Sequence, residues 1–117
     1  MMGSKGVYKK LLNGVTATGA GAAHGLGTNP SNKHTLQTVF TNSGGAVTAL
    51  TIDLEGSLDG TNYQQIATKT FAAGDLTAKS YMFHVTNKPV SHVRANITTL
   101  TETGATAVSA HYLNGGV

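Results

Sequence analysis

The chain has 117 residues, a length typical of a single domain. It has no cysteine, which excludes disulfides, thiolate metal sites and cysteine nucleophiles. Charged residues make up 11% of the chain and the net charge is +3, too sparse for the dense basic patch of a nucleic-acid-binding domain, and no apolar run approaches the ~20 residues of a membrane span.

Residues 1–33 differ in composition from the rest. The stretch V-Y-K-K-L-L (7–12) suits one helical turn or a short strand, and V-T-A-T (15–18) is a candidate additional strand. The remainder is rich in glycine and alanine and has no helical period. We therefore predict an extended N-terminal arm over residues 1–33, able to reach roughly 110 Å when fully stretched and to lie on a neighbouring subunit.

From residue 34 to residue 117 the sequence predicts one all-β domain. Leu50, Ile52 and Leu54 alternate with polar residues, the period-2 pattern of a strand with one buried face. Similar runs, separated by turn signals such as N-S-G-G, predict strands over 34–41, 46–56, 62–71, 79–86, 90–100 and 105–113. This pattern is typical of an antiparallel β-sandwich, either jelly-roll or immunoglobulin-like. The predicted core consists of Leu50, Ile52, Leu54, Ile66, Phe83, Val85, Val93, Ile97, Val108 and Tyr112.

The stretch I-D-L-E-G-S-L-D-G-T-N-Y (52–63) holds three carboxylates. Asp53 and Glu55 share one face of a strand at roughly 7 Å, a spacing that would suit a glycosidase pair. The chain has no tryptophan and few aromatics near them, so a solvated or interface-facing sheet surface is the favoured interpretation. An EF-hand loop beginning at Asp53 would need Glu at its twelfth position, where Gln64 stands, although a calcium site built from loop carbonyls is an alternative. The D-G pair at 59–60 predicts a turn between two strands.

Three stretches carry a resemblance to a known group of proteins. L-E-G-S-L-D-G-T-N-Y, V-R-A-N-I-T-T-L and V-T-A-T-G-A-G-A-A resemble small β-sandwich structural proteins of tailed bacteriophages, in which an EGSLDGxNW-type hairpin precedes a VRANVTSL-type strand. Tyr63 stands where tryptophan is usual in that group. The resemblance implies a virion component that decorates or cements the capsid. The same hairpin also resembles the S-x-D-G-x-x-W turn of discoidin-like, carbohydrate-binding sandwiches.

The remaining candidate residues do not predict a catalytic or metal-binding site. The five histidines lack the spacings typical of zinc sites, although His84, His92 and His111 fall on three predicted strands that a sheet could bring together. No serine lies in a G-x-S-x-G elbow. We therefore predict no catalytic residue, no metal site and no cofactor, and regard the chain as a binding protein rather than an enzyme.

The expected function is that of a capsid decoration, or cement, protein on the outer surface of a phage head, assembled in the host cytoplasm. Its expected partners are the major capsid protein and further copies of itself, with a trimer favoured. We expect neither a nucleic-acid nor a membrane partner. The alternative is a tail, connector or adhesion component with a carbohydrate-binding sandwich. The predicted contact residues lie in the arm and in the hairpin at 59–63: Lys5, Tyr8, Lys9, Lys10, Leu11, Leu12, Val15, His24, Asp59, Asn62 and Tyr63.

Overall fold

A computed structural model describes residues 7–26, 32–72, 76 and 79–115, with Val7 described by its backbone alone. Strands account for most of this part of the chain, and every pairing between them is antiparallel. The nine strands are β1 (Val7–Val15), β2 (Gly19–Ala20), β3 (His24–Gly25), β4 (His34–Ser43), β5 (Val47–Ser57), β6 (Gln64–Thr70), β7 (Ser80–Val85), β8 (His92–Glu102) and β9 (Ala105–Asn114). Within the described ranges, no helix is long and apolar enough to cross a membrane.

The strands form two sheets that pack as a sandwich. The first sheet has the order β1-β9-β4-β7, and the second has the order β2-β8-β5-β6, with β3 also paired to β8. If β2 and β3 are taken as one interrupted strand, the first strand pairs with the last and the second with the next to last. Continuing inward along the chain, β4 pairs with β7, and β5 pairs with β6. This nested pairing of eight strands is the jelly-roll arrangement, so the all-β sandwich prediction is confirmed and the jelly-roll alternative is the one observed.

The core lies between the sheets and follows from the alternation of side chains along the long strands. On β4 the buried positions are His34, Leu36, Thr38 and Phe40, with half-buried residues between them. Seven of the ten predicted core residues are buried: Leu50, Ile52, Leu54, Val93, Ile97, Val108 and Tyr112. The other three, Ile66, Phe83 and Val85, are half-buried.

An extended N-terminal arm is not confirmed. Within residues 7–26, β1 pairs with β9, and β2 and β3 pair with β8 of the same chain. Leu11, Leu12 and Leu26 are buried in the core. Two irregularities in the β1 register, one between Lys10 and Leu12, let adjacent leucines both reach the interior. Of the two alternatives that the sequence left open for residues 7–12, the short strand is the one observed, but the sequence pattern did not predict its full length, because a bulge breaks the period-2 alternation on which the prediction depends.

Candidate functional site

The loop between β5 and β6 is ordered by one carboxylate. Asp59 Oδ1 accepts hydrogen bonds from the backbone N–H groups of Thr61 and Asn62, both at 2.8 Å, and from the Ser57 hydroxyl at 2.9 Å. Asp59 Oδ2 accepts a bond from Asn62 Nδ2 at 2.7 Å. The backbone N–H groups of Asn62 and Thr61, with smaller contributions from the Asn62 and Ser57 side chains, hold the pKa of Asp59 well below its usual range.

The same loop contains a turn that requires glycine. Gly60 has a φ of +77°, in the left-handed region that side chains disfavour. Its backbone N–H donates to Ser57 Oγ at 2.9 Å. A Cβ at Gly60 would also lie 3.2 Å from His92 Nε2, so the D-G turn predicted from the sequence is present and packs tightly on β8.

Ser91, which directly precedes β8, holds the loop in place through hydrogen bonds. The Ser91 backbone N–H donates to the Ser57 carbonyl at 2.9 Å. Ser91 Oγ lies 2.9 Å from the Leu58 carbonyl and 2.8 Å from His92 Nδ1. The loop therefore has a fixed shape built by short-range hydrogen bonds rather than by a large core.

Beside the loop lies an open groove with a volume of about 390 Å³. Its apolar lining comes from Leu58, Ile66, Pro89 and Val90. Leu58 is 77% exposed, the highest value among the exposed large hydrophobic side chains that the structure describes. A rigid loop thus presents an apolar side chain to solvent next to an apolar depression, with the Asp59 carboxylate at its rim.

A charged cluster lies on the outward face of the second sheet. Arg94 Nε donates to Glu55 Oε1 at 2.6 Å, and Asn96 Nδ2 donates to Glu55 Oε2 at 3.0 Å. The Arg94 guanidinium lies 4.2 Å from the centroid of the Tyr63 ring. Asp53, expected on the same polar face, is 8% exposed. Because both Glu55 oxygens are engaged, the arrangement favours a structural ion pair over an acid–base dyad.

The predicted contact residues of the N-terminal segment have different surroundings. Lys5 lies outside the described residues. Tyr8, Lys9 and Lys10 are exposed. Leu11 and Leu12 were expected to contact a partner, but they are buried within their own chain; that expectation was wrong because the bulged β1 strand uses them as core.

The other two predicted contact residues of the N-terminal segment are Val15 and His24. Val15 packs against the core. His24 lies on β3 and pairs with Val93, which also pairs with Gly56 at the end of β5. β3 and the Asp59 loop therefore lie at the same end of the sandwich, separated by β8, whereas Tyr8 lies on the other sheet.

The histidines do not converge on a metal site in the described part of the chain, where no three potential ligands lie close enough to hold an ion. His24 and His34 instead flank Tyr112, with ring centroids 6.4 and 5.8 Å from it. Burial lowers the pKa of both histidines; Lys9 lowers that of His24 further, and the bond to the Lys88 carbonyl partly offsets the effect for His34.

Sequence reasoning missed the groove and Leu58. The Ser-x-Asp-Gly-x-Asn spacing at 57–62 does encode the loop, because Ser, Asp and Asn cap neighbouring N–H groups. The position of Leu58 between Ser57 and Asp59 was therefore a usable signal: a leucine inside a polar turn has no core to enter.

No protein-family model matches the chain, and no curated protein matches it. The fold is similar to the crystal structure of YomS, an SPBc2 prophage-derived protein, with a TM-score of 0.53, 12% identity and coverage of 93% of each chain. A Yersinia pseudotuberculosis-derived mitogen gives a TM-score of 0.36 and 8% identity over 96% of this chain and 85% of that one, which is too low to carry an argument. What the first likeness establishes is the fold alone.

Proposed function

We propose that the chain is a structural protein of a tailed-phage particle, a decoration or cement protein that binds the outer surface of the head. In this proposal its partner is the major capsid protein, and bound copies hold adjacent capsid subunits together. Support comes from the resemblance of the hairpin and the β8 sequence to small virion sandwiches. The fold shared with a prophage-derived protein agrees with a phage-related origin.

The observation that carries the proposal is the rigid Asp59 loop with its exposed Leu58. Because Asp59 and Ser57 already accept the four backbone N–H groups of residues 59–62, docking requires little further ordering, and preorganisation strengthens binding. Burying a leucine side chain contributes about 1.5–3 kcal/mol. The loop is therefore suited to act as a preformed anchor on another protein's surface.

In this function the chain acts by binding and not as an enzyme. It needs no cofactor, and it works in the assembled virion after its own folding in the host cytoplasm. Several copies are expected to act together, with a trimer favoured, because linked copies on one lattice gain avidity that a single weak contact lacks.

A tail, connector or adhesion role with bound carbohydrate is the competing function. Sugar-binding sites commonly stack a ring of the ligand on an exposed aromatic face. Here the Arg94 guanidinium lies over the Tyr63 ring, and Tyr63 is half-buried. This makes the aromatic of the hairpin a poor sugar platform, so shell binding is the better-supported proposal.

The test is co-sedimentation of the purified chain with empty phage heads that lack it. We expect saturable binding by the unaltered chain and a loss of at least roughly 30-fold in affinity for Leu58→Glu, the effect of disrupting a central anchor. The matched control is Thr101→Glu, which adds the same charge at an exposed position of β8 beyond the loop and should bind normally.

Three outcomes would contradict the proposal. They are a chain that never co-sediments with heads, a Leu58→Glu variant that binds as well as the unaltered chain, and binding to a glycan array with no binding to heads. Electron microscopy of the complexes separates a head site from a tail or connector site, since the latter gives rings at one vertex only.

A further inference from the structure

The outward side of the first sheet combines exposed hydrophobic side chains with very few charged ones. We call it the neutral face; it is centred on Tyr8, Thr35, Gln37, Met82, His111 and Leu113. Of the four exposed large hydrophobic side chains in the described part of the chain, three lie on it, with exposed fractions of 60% for Tyr8, 50% for Met82 and 39% for Leu113. A shallow depression of about 300 Å³ runs between these side chains.

Permanent charge is nearly absent from the neutral face. Among the described outward positions of β1, β9, β4 and β7, Lys10 is the single Lys, Arg, Asp or Glu. The four carboxylates in the described ranges all belong to the other sheet and its loop: Asp53, Glu55, Asp59 and Glu102. The outward face of the second sheet has a Glu55–Arg94 ion pair, so one outward face of the sandwich carries charged side chains and the other is nearly uncharged.

Two pairs of polar side chains on the neutral face are already bonded to each other. Tyr8 Oη lies 2.6 Å from His111 Nδ1, and the two rings stack with centroids 5.9 Å apart. Thr35 Oγ1 lies 2.8 Å from His84 Nδ1. Burying these groups against another surface would therefore leave few hydrogen bonds unmade, which removes the main cost of covering a polar sheet.

We infer that the neutral face is where copies of this chain meet. Each copy has a net charge of +3, so two copies approach most easily through the face with the least charge. Among the described residues of this face, a partner of opposite charge would find Lys10 alone to pair with, which argues against an acidic protein or a nucleic acid. A second copy offers the same uncharged, half-apolar surface and suits contact around a symmetry axis.

The size of the face fits such a contact. The four strands of the face have nine, ten, ten and six residues, and strands about 4.8 Å apart with a rise of about 3.4 Å per residue give a footprint of roughly 570 Å². Two copies would bury about 1,100 Å² in total, just above the roughly 1,000 Å² that a specific protein interface needs. The face can pair with its own copy around a two-fold axis or with both neighbours around a three-fold axis.

This inference deepens the proposal that several copies act together, and its test needs no capsid. Sedimentation equilibrium of the purified chain from about 1 to 100 µM should give a dimer or a trimer, either of which supports the inference. Met82→Glu should weaken association at least about 100-fold, because it brings like charges together in an apolar contact. Leu58→Glu, an equal change at an exposed position outside the face, should leave the mass unchanged.

A second measurement covers the case in which Met82→Glu fails to fold. The chain has no cysteine, so Met82→Cys and Leu58→Cys each carry one thiol. Maleimide labelling of Met82→Cys should slow at least ~10-fold as protein concentration rises through the association range, because contact buries the thiol, while Leu58→Cys labels at a constant rate.

Either of two results overturns the inference: a monomer at about 100 µM, or association that Met82→Glu leaves intact. Failure here is distinguishable from failure of the proposed function. Leu58→Glu should lose head binding but keep its oligomeric state. Met82→Glu should lose its oligomeric state but keep the head binding of a single copy, without the avidity that linked copies add.

Discussion

His34 shows how one buried side chain joins three parts of the sandwich. It is 2% exposed; its Nε2 lies 2.7 Å from the Lys88 carbonyl and its Nδ1 lies 2.6 Å from the Tyr112 hydroxyl. A carbonyl can only accept, so Nε2 carries the proton and Nδ1 of the neutral ring accepts from Tyr112. Both nitrogens of the neutral ring thus have partners, and burial lowers the pKa of His34, which favours that neutral form.

This pKa direction predicts loss of stability in mild acid. A folded-state pKa below 6.5 means that the unfolded chain binds the proton more readily. The contribution is complete above about pH 6.5 and is lost as pH falls through the folded-state pKa, with a slope of about 1.4 kcal/mol per pH unit for each proton. His24, whose pKa is also lowered, adds to the effect in the same direction.

Urea unfolding between about pH 5 and pH 8 measures this dependence. We expect His34→Gln to be less stable at neutral pH, because an ordered buried network is lost, and to show a shallower decline in acid. His84→Gln alters an exposed histidine and should keep the decline of the unaltered chain. Equal slopes for His34→Gln and the unaltered chain would show that His34 does not titrate in this range.

At the scale of elements, the predictability of each strand depended on how regular its alternation is. The predicted strand over 105–113 is observed as Ala105–Asn114, and that over 34–41 as His34–Ser43. β1 was left open between a helical turn and a short strand, because its bulge puts both Leu11 and Leu12 inside and hides the alternation. β2 and β3 have two residues each, too few to show a period. The hairpin at 59–60 was predictable from D-G, but its groove was not, since Pro89 and Val90 come from a distant stretch.

The role of β1 gives a prediction at this scale. If β1 is a structural edge strand, Leu12→Ala should lower the free energy of unfolding by about 2–5 kcal/mol, the cost of emptying a buried leucine site. Asn13→Ala changes an exposed neighbour and should stay within about 0.5 kcal/mol. Chemical denaturation of both variants decides the matter; an extended arm, as the sequence predicted, would make both substitutions neutral.

At the scale of the whole molecule, nested pairing puts chemically different surfaces on opposite sides. Because the first and last strands lie together in the first sheet and the middle strands β5 and β6 lie in the second, sequence position decides which face a residue joins. The acids among the described residues come from β5, β8 and the β5–β6 loop, so they collect on the second sheet and leave the described part of the first without carboxylates. Local patterns predicted the strands, but this segregation depends on the pairing order and could not be read from them.

The separation of the acids from the neutral face predicts how the association of copies responds to salt. Raising NaCl from about 50 to 500 mM shortens the screening length from roughly 14 to 4 Å. Contact through the neutral face should then be unchanged or a few-fold stronger, because the repulsion between two +3 chains is screened, and sulfate should strengthen it further by favouring apolar burial. If instead the acids of one copy met the N-terminal lysines of another, such as Lys9 and Lys10, the same salt would weaken association steeply. Sedimentation equilibrium in the three buffers separates the two arrangements, and weakening in NaCl would exclude the neutral face as the contact.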